Sequence, residues 1–283
     1  MRPGRSAKRG PKPPRADNFD RHEAVQADYL RMIRLRSMSY AELGALLAGD
    51  PATAAPWIQA AARYGVAEAQ LRLGQMLLDG LGAAKDEAAA LTWFIRAAKT
   101  GAAEAMNMVG RCHENGWGVA IDLPTAVDWY RRAAEAGHDW GEYNYANMLF
   151  DGRGVARDEA GSIGWYRRAA DQGHARAMNL LARCFEEGWG TPHDEAMAFE
   201  WYRRSAEAGY FRAQFNYGSI LAAHDRIDEA LIWFGQACRA APADSLPSMA
   251  EVLLQQTDPK LTSFARTLAA RLDGHPPAEA PPC

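Results

Sequence analysis

The chain has 283 residues, of which 48% are apolar and 24% are charged, and its formal net charge is −3. This composition predicts a folded chain with one or two cores and excludes a disordered one. The sequence lacks the run of about 18 apolar residues that a transmembrane helix needs, and no apolar signal segment follows its basic start. We therefore expect a cytoplasmic protein without a transmembrane segment.

The first predicted segment is a proline-rich basic tail over residues 1 to 17, which we expect to be disordered. Residues 1 to 15 carry a charge of +6 and leave −9 for the rest of the chain. A basic tail is suited to the phosphates of nucleic acid or anionic lipid, so binding of an anionic partner is one alternative function. The acidic body argues against nucleic acid as the main partner.

Helical periodicity continues after the tail, over Asp20 to Met38 and Tyr40 to Ala48. We predict that residues 18 to 50 form N-terminal capping helices. Repeat arrays need caps because a terminal repeat would otherwise leave its apolar face open to water.

Residues 51 to 241 repeat at a period of 36 residues. Each repeat contains two helical segments, the first closed by a glycine and the second by a Gly-x-Gly loop. Because one helical hairpin cannot bury its apolar face alone, the period predicts an all-α solenoid of stacked hairpins. The ladders that carry the period are Trp57, Trp93, Trp129, Trp165 and Trp201, then Gly65, Gly101, Gly137, Gly173 and Gly209, and then Gly80, Gly116, Gly152 and Gly188.

Three kinds of residue mark the helix boundaries and the packing within each hairpin. An aspartate is placed to cap the start of the first helix, and the closing glycine allows a positive φ after its end. A small residue at a fixed place in the second helix predicts a close approach of the two helices. The capping aspartates are Asp86, Asp122, Asp158 and Asp194, and the small residues are Gly74, Gly110, Ala146, Ala182, Gly218 and Ala250.

One motif gives the repeat a family resemblance. Trp-Tyr-Arg-Arg-Ala-Ala precedes a glycine, a helix with Leu-Gly or Tyr-Ala follows, and Gly-x-Gly-Val and an aspartate close the repeat. This pattern resembles the Sel-1-like repeat, a relative of the tetratricopeptide repeat, over about residues 51 to 241. The resemblance implies a right-handed α/α superhelix that works as an adaptor or scaffold and holds a partner protein or peptide on its concave helix face.

The repeat pattern changes near the C-terminus, where four residues are missing between Gly209 and Trp233. We expect this deletion to lie in a turn. Residues 242 to 274 are predicted to form C-terminal capping helices over Leu246 to Gln255 and Asp258 to Leu272. Residues 275 to 283 are predicted to be a disordered proline-rich tail.

The first candidate site is a ladder of paired arginines on three consecutive first helices. Helices stacked at about 10 Å would align these arginines into a basic strip suited to carboxylates or an acidic peptide. Acidic residues four positions away offer the alternative that the arginines only stabilise their own helices. The expected pairs are Arg131 with Glu135, Arg167 with Asp171, Arg203 with Glu207, Arg132 with Asp128 and Arg204 with Glu200, and Arg168 completes the ladder.

A second candidate site follows from a partial period of 72 residues. Trp117 and Trp189 recur in loops, and Asn144 and Asn216 recur in the second helices. These residues either mark alternate contact points for an extended peptide or record the duplication of a two-repeat segment.

The remaining reactive residues predict neither a disulfide, a metal site nor a catalytic site. Cys112 and Cys184 are two repeats apart, about 20 Å at the expected hairpin step, which is too far for a disulfide. Every Asp, Glu and His that the repeat places recurs as a cap or on a solvated face, without a distinct nucleophile and base. We therefore expect no enzyme, cofactor or metal, and self-assembly as a structural protein is the second alternative function.

Overall fold

The computed structural model describes residues 17–39, 41–42, 45–46 and 49–272, and the regular secondary structure in this part of the chain is entirely helical. The predicted tails, residues 1 to 17 and 275 to 283, lie outside the described residues, apart from Asp17, which begins the first helix. So does much of the predicted helix over Tyr40 to Ala48. The chain divides into two compact units, Met1–Thr100 and Gly101–Cys283.

The first unit is a succession of helices in which each packs against the next. The first helix docks on the second through Asp28, which is buried and forms ion pairs with Arg31 at 3.2 Å and with Arg63. Ala55, Ile58 and Leu73 belong to the core of this unit. Its helices are α1 (Asp17–Ser37), α2 (Pro51–Arg63), α3 (Ala67–Asp79) and α4 (Glu87–Ala98).

The second unit continues the same arrangement, with consecutive helices packed together and a final pair, α13 and α14, of which α14 also contacts α12. We call α2, α4, α6, α8, α10 and α12 the A-helices, and we call α3, α5, α7, α9 and α11 the B-helices. The helices of this unit are α5 (Ala103–Asn115), α6 (Leu123–Glu135), α7 (Asp139–Asp151), α8 (Glu159–Asp171), α9 (Ala175–Glu187), α10 (Glu195–Glu207), α11 (Phe211–Ala223), α12 (Ile227–Ala240), α13 (Leu246–Leu254) and α14 (Pro259–Leu272).

The predicted boundary signals are confirmed. Each capping aspartate accepts a hydrogen bond from the backbone amide three residues on, and for Asp158 the donor is Gly161 at 2.8 Å. The glycines that close the A-helices have positive φ, 94° at Gly173, which a residue with a Cβ would adopt only under strain. These local interactions satisfy the free amides and carbonyls at the helix ends.

The predicted close approach within each hairpin is also present. A Cβ at Gly110 would lie 2.7 Å from the ring of Tyr130, and a Cβ at Gly74 would lie 2.5 Å from the ring of Phe94. Tyr130, Tyr166 and Tyr202 are buried at this contact. The tyrosines are thus the aromatic core of the hairpins; the neighbouring Trp129 and Trp165 are half-buried, whereas Trp201 is buried with Tyr202.

The four-residue deletion lies in a turn, as predicted. The connection from α11 to α12 contains only residues 224 to 226, whereas residues 188 to 194 connect α9 to α10. Asp225 adopts a φ of 62° in this turn, in place of a glycine. Beyond α12, Leu253, Leu261 and Ala265 are buried in the core of the second unit.

Two absences hold for the described residues. None of their helices is both long enough and apolar enough to cross a bilayer. Cys112 and Cys184 are buried and form no disulfide, and burial raises the pKa of the Cys184 thiol to about 12.

Candidate partner-binding site

We call Arg131, Arg167 and Arg203 the outer arginines of the ladder. They differ in how nearby acids compensate their charge. Arg131 of α6 forms ion pairs with Asp128 at 3.3 Å and Glu135 at 3.7 Å. Arg203 of α10 does the same with two acids, Glu200 at 2.7 Å and Glu207 at 2.8 Å, the equivalents of Asp128 and Glu135. The expected pairs with the acids four residues on therefore form, but a second acid three residues before each arginine joins them.

Arg167 of α8 is the exception. It is exposed, it lies over the ring of Phe185 at 5.9 Å, and it forms no ion pair within 4 Å among the described residues. The expected pair of Arg167 with Asp171 is thus wrong. Gly164 stands where α6 has Asp128 and α10 has Glu200, so the acid three residues before the arginine is missing.

We call the second arginine of each pair, at Arg132, Arg168 and Arg204, an inner arginine. The inner arginines do not form the ion pairs that the sequence predicts. Their guanidinium groups lie over the tryptophan three residues before them, and the acids Asp128 and Glu200 bind the outer arginines instead. Contact with the indole covers one planar face of the guanidinium and leaves its N–H edge open. The distances to the ring centroid are 4.1 Å for Arg132 on Trp129, 4.5 Å for Arg168 on Trp165 and 4.1 Å for Arg204 on Trp201.

Arg168 has a further role between hairpins. Its guanidinium donates to the carbonyl oxygen of Ala134 at 3.3 Å and lies 2.8 Å from the carboxylate of Glu142, which is fully buried. Gln172 donates to the same carboxylate at 2.7 Å. Burial raises the pKa of Glu142, and Arg168 opposes this shift. Arg168 is therefore committed to the internal structure.

The two predicted asparagines are also used internally. Asn144 donates to Asn107 at 2.8 Å, and Asn216 donates to Asn179 at 3.2 Å, and both bonds connect neighbouring B-helices. Asn107 and Asn179 are buried, whereas their partners are half-buried. The 72-residue alternation thus places an asparagine pair at every second contact between B-helices in this unit.

Trp117 and Trp189 are half-buried, and each lies under an arginine of the preceding B-helix, Arg111 at 5.0 Å and Arg183 at 5.1 Å. Trp189 also contacts Phe150, with ring centroids 5.7 Å apart. It lines a small cleft of about 170 Å³ whose other walls include Asn147, Leu180 and Tyr166. The two loop tryptophans are therefore mostly packing residues.

The second unit contains a further cluster of aromatic and basic side chains that the motifs of the sequence do not predict. We call it the aromatic edge. It lies where the A-to-B turns lead into α7, α9 and α11. Its members are Trp140, His174, Arg176, Tyr210, Phe211 and Arg212.

The repeat register contains the signal for this cluster. Glu68, Glu104, Trp140, Arg176 and Arg212 follow one another at 36-residue steps, so one position changes from acid to aromatic to base along the chain. This change becomes visible only when the repeats are aligned and their exposed positions are compared.

Groups of three or more metal-ligating side chains are absent from the described part of the chain. His138 and His174, which open successive B-helices, are used as caps, and their Nδ1 atoms accept from Gly141 at 3.0 Å and Ala177 at 3.1 Å. Burial lowers the pKa of His174, which agrees with a neutral imidazole whose Nδ1 accepts.

Comparison with known proteins gives a family match and a set of solved structures of related fold, two of which are described below. A family model described as Sel1 repeat matches residues 67–101, 103–138, 141–174, 175–210 and 212–241. None of the curated proteins compared with the chain matches it.

One similar structure is c5321, a protective antigen of uropathogenic Escherichia coli strains with an SLR fold, at 26% identity and a TM-score of 0.66. The match covers 89% of this chain and 54% of the antigen, so this chain spans about half of that protein. The other is a Sel1 repeat protein from Oxalobacter formigenes, at 26% identity and a TM-score of 0.64, with 77% of this chain and 95% of that chain covered.

Proposed function

Because the chain belongs to the Sel1 repeat family, whose members are commonly protein–protein interaction scaffolds, we propose that it is a non-catalytic adaptor. Its partner is a protein or peptide that binds along the exposed faces of α6, α8 and α10. This proposal keeps the outer arginines, Arg131, Arg167 and Arg203, as the binding strip. The inner arginines, the asparagine pairs and the loop tryptophans make contacts within the chain and are not part of the strip.

Arg167 is the observation that carries the proposal. Its neighbours in the ladder, Arg131 and Arg203, each lie between two acids, so their charge is compensated within their own helix. Arg167 has an exposed guanidinium next to the aromatic ring of Phe185. A partner carboxylate can form a bidentate pair with such a group without displacing an acid of this chain.

The open position beside Arg167 strengthens the proposal. A Cβ at Gly164 would meet no atom within 4 Å, so the surface next to the arginine is unoccupied by side chains. A partner main chain can approach α8 more closely here than at the equivalent places on α6 and α10, where Asp128 and Glu200 stand.

Affinity capture with the full chain and its Arg167→Glu variant tests this function. Reversal of this charge is expected to remove the specific partners, because a carboxylate would then face a carboxylate. The matched control is Arg239→Glu, which changes another exposed arginine without an ion pair among the described residues and leaves the strip intact. Identical partners for wild type and Arg167→Glu, with both chains folded by circular dichroism, would refute the strip.

A further inference from the structure

The aromatic edge contains two arginines that have no acidic partner within the described ranges of the chain. Arg176 and Arg212 are exposed, and neither forms an ion pair with a described residue. Arg176 lies over Trp140 at 5.3 Å and over Tyr210 at 6.0 Å, and Arg212 lies over Phe211 at 5.7 Å. Contact with the rings orients both guanidinium groups and leaves their N–H edges available.

An exposed tryptophan stands next to these arginines. Trp140 is 41% exposed although its ring packs edge-to-face against His174, with centroids 4.5 Å apart. Tyr143 stacks on the same imidazole at 4.7 Å and holds it from within. Clusters of tryptophan, tyrosine and arginine of this kind are typical of the residues that dominate protein interfaces.

The edge contains side-chain hydrogen-bond donors that have no acceptor in the described part of the chain. Nδ1 of His174 accepts from Ala177, so Nε2 carries the proton, and this buried N–H finds no acceptor in the described part of the chain. Asp139 is an acid near His174, and one of its oxygens accepts from the amide of Trp140. The surroundings of Arg176 and Arg212 are therefore complementary to a ligand that supplies carboxylate oxygens.

We propose that the aromatic edge binds an acidic segment of the partner protein. Carboxylates of the segment pair with Arg176 and Arg212, and an apolar side chain rests on Trp140. The guanidinium of Arg176 lies 5.3 Å from the ring of Trp140, and Arg212 belongs to the next hairpin, about 10 Å further on. An extended chain advances about 3.3 Å per residue and presents every second side chain on the same face. The segment thus carries an apolar residue, an acid two residues later and a second acid two to four residues after that, all on one face.

This inference rests on the proposed function, since it adds a second contact for the same partner, but it concerns other residues. The strip lies on the exposed faces of the A-helices, whereas the edge lies at the starts of α7, α9 and α11. Each surface can therefore be changed without altering the other.

Binding of a synthetic peptide to the full chain tests the edge. The probe is a short fluorescent peptide with one leucine, a glutamate two residues later and a second glutamate four residues after that, and its counterpart has glutamines in place of the glutamates. We expect the glutamate peptide to bind and the Arg176→Gln/Arg212→Gln variant to weaken it about tenfold or more, as loss of charge-assisted hydrogen bonds requires. Fluorescence anisotropy measures the dissociation constants.

Arg239→Gln is the matched control, since it removes an exposed arginine that has no ion pair among the described residues and lies outside both the edge and the strip. Unchanged peptide binding by this variant supports the edge as the site. Equal affinity for the glutamate and glutamine peptides, an unchanged affinity of the double variant, or no binding by wild type up to about 1 mM would overturn the inference. Loss of binding with Arg167→Gln alone would place the acidic segment on the strip, which overturns the edge but leaves the proposed function standing.

The capture experiment and the peptide experiment test the strip and the edge separately, so either proposal can be refuted without the other. If Arg167→Glu keeps all partners while the glutamate peptide still needs Arg176 and Arg212, the strip is wrong and the edge stands. If the glutamate peptide binds wild type and the Arg176→Gln/Arg212→Gln variant with equal affinity, the edge is wrong. The capture experiment then decides separately whether the strip is the binding site.

Discussion

Glu142 illustrates how one residue changes which side chain donates a hydrogen bond to a backbone carbonyl of the repeat. Two other repeats have glutamine at this position, and Gln70 and Gln214 donate to the carbonyl oxygens of Ala62 at 3.1 Å and Ala206 at 3.3 Å. A carboxylate cannot donate. In the repeat of Glu142, the equivalent carbonyl is therefore bonded by Arg168 of the next A-helix, and Glu142 positions that arginine.

The Glu142→Gln variant should change the pH dependence of stability. Because burial raises the pKa of Glu142 in the folded state, the folded chain holds this proton more tightly than the unfolded chain. The stability of the wild type relative to the variant should thus rise as pH falls from 7 through the raised pKa towards the ordinary 4.5, and fall as pH rises again. Urea unfolding at several pH values measures this difference.

An exposed glutamate provides the control for this prediction. Glu187→Gln changes the last residue of α9, which is exposed to solvent, and should leave the shape of the pH profile unaltered. Parallel stability curves for wild type and Glu142→Gln would mean that Glu142 titrates alike in the folded and unfolded chains.

At the scale of the helical hairpin, the distance between an A-helix and a B-helix depends on one small residue. Ala146 and Ala182 occupy the same repeat position as Gly110, opposite Tyr166 and Tyr202. The hairpins thus adjust their packing to either glycine or alanine. Tyr130 is held in place by its hydroxyl, which donates to Glu114 at 2.5 Å, and Phe150 replaces this acid in the next repeat, where Tyr166 donates to Asn147 at 2.7 Å.

Gly110→Ala should destabilise the chain by about 1–3 kcal/mol, because the added methyl group meets the ring of Tyr130 in a close-packed core. Gly164→Ala is the matched control, since it lies in the exposed middle of α8 with no atom near its Cβ. This variant should stabilise the chain by about 0.5–1 kcal/mol. Equilibrium unfolding in urea measures both changes, and a Gly110→Ala variant as stable as wild type would contradict the close approach.

At the scale of the whole chain, the second compact unit holds the buried cysteine side chains, which become exposed when this unit unfolds. Cys184 lies in the core of the second unit with Leu181, Phe185 and Trp201. We propose that α13 and α14 cap this core, since Leu253 and Leu261 are buried in it. Opening of the second unit is then required before a reagent reaches the Cys184 thiol.

Labelling of Cys184 should therefore be slow in the native protein. The thiol is 2% exposed, and burial raises its pKa to about 12, so little thiolate exists at neutral pH. Reaction with a maleimide, followed by mass mapping of the labelled cysteine, should show a large increase in rate when urea unfolds the chain. Cys238, which is half-buried, serves as the comparison within the same sample. Rapid native labelling of Cys184 would show that the second unit opens readily.

Much of the hairpin architecture could be read from the sequence, because its determinants are local. The aspartate caps, the closing glycines and the small residues each act within one helix end or one hairpin, and they recur every 36 residues. The resemblance to the Sel-1-like repeat correctly identified the family. The deletion before Trp233 could also be placed, since a missing segment between two helices shortens their turn.

The candidate site depended on the tertiary structure. Each arginine of the ladder can reach several acids, an aromatic ring or a neighbouring carbonyl, and the spacing in sequence does not decide among them. Packing places Arg132 on Trp129, brings Arg168 to Ala134 and Glu142, and leaves Arg167 without an ion pair to any residue that the structure describes.

The aromatic edge joins residues about one repeat apart, such as Trp140 and Arg176, and depends in the same way on how neighbouring hairpins stack. The sequence by itself therefore determined the repeating hairpin and its caps, through backbone interactions within a few residues. Only the tertiary structure decided which side chains remain available to a partner, because that depends on competition among groups from neighbouring hairpins.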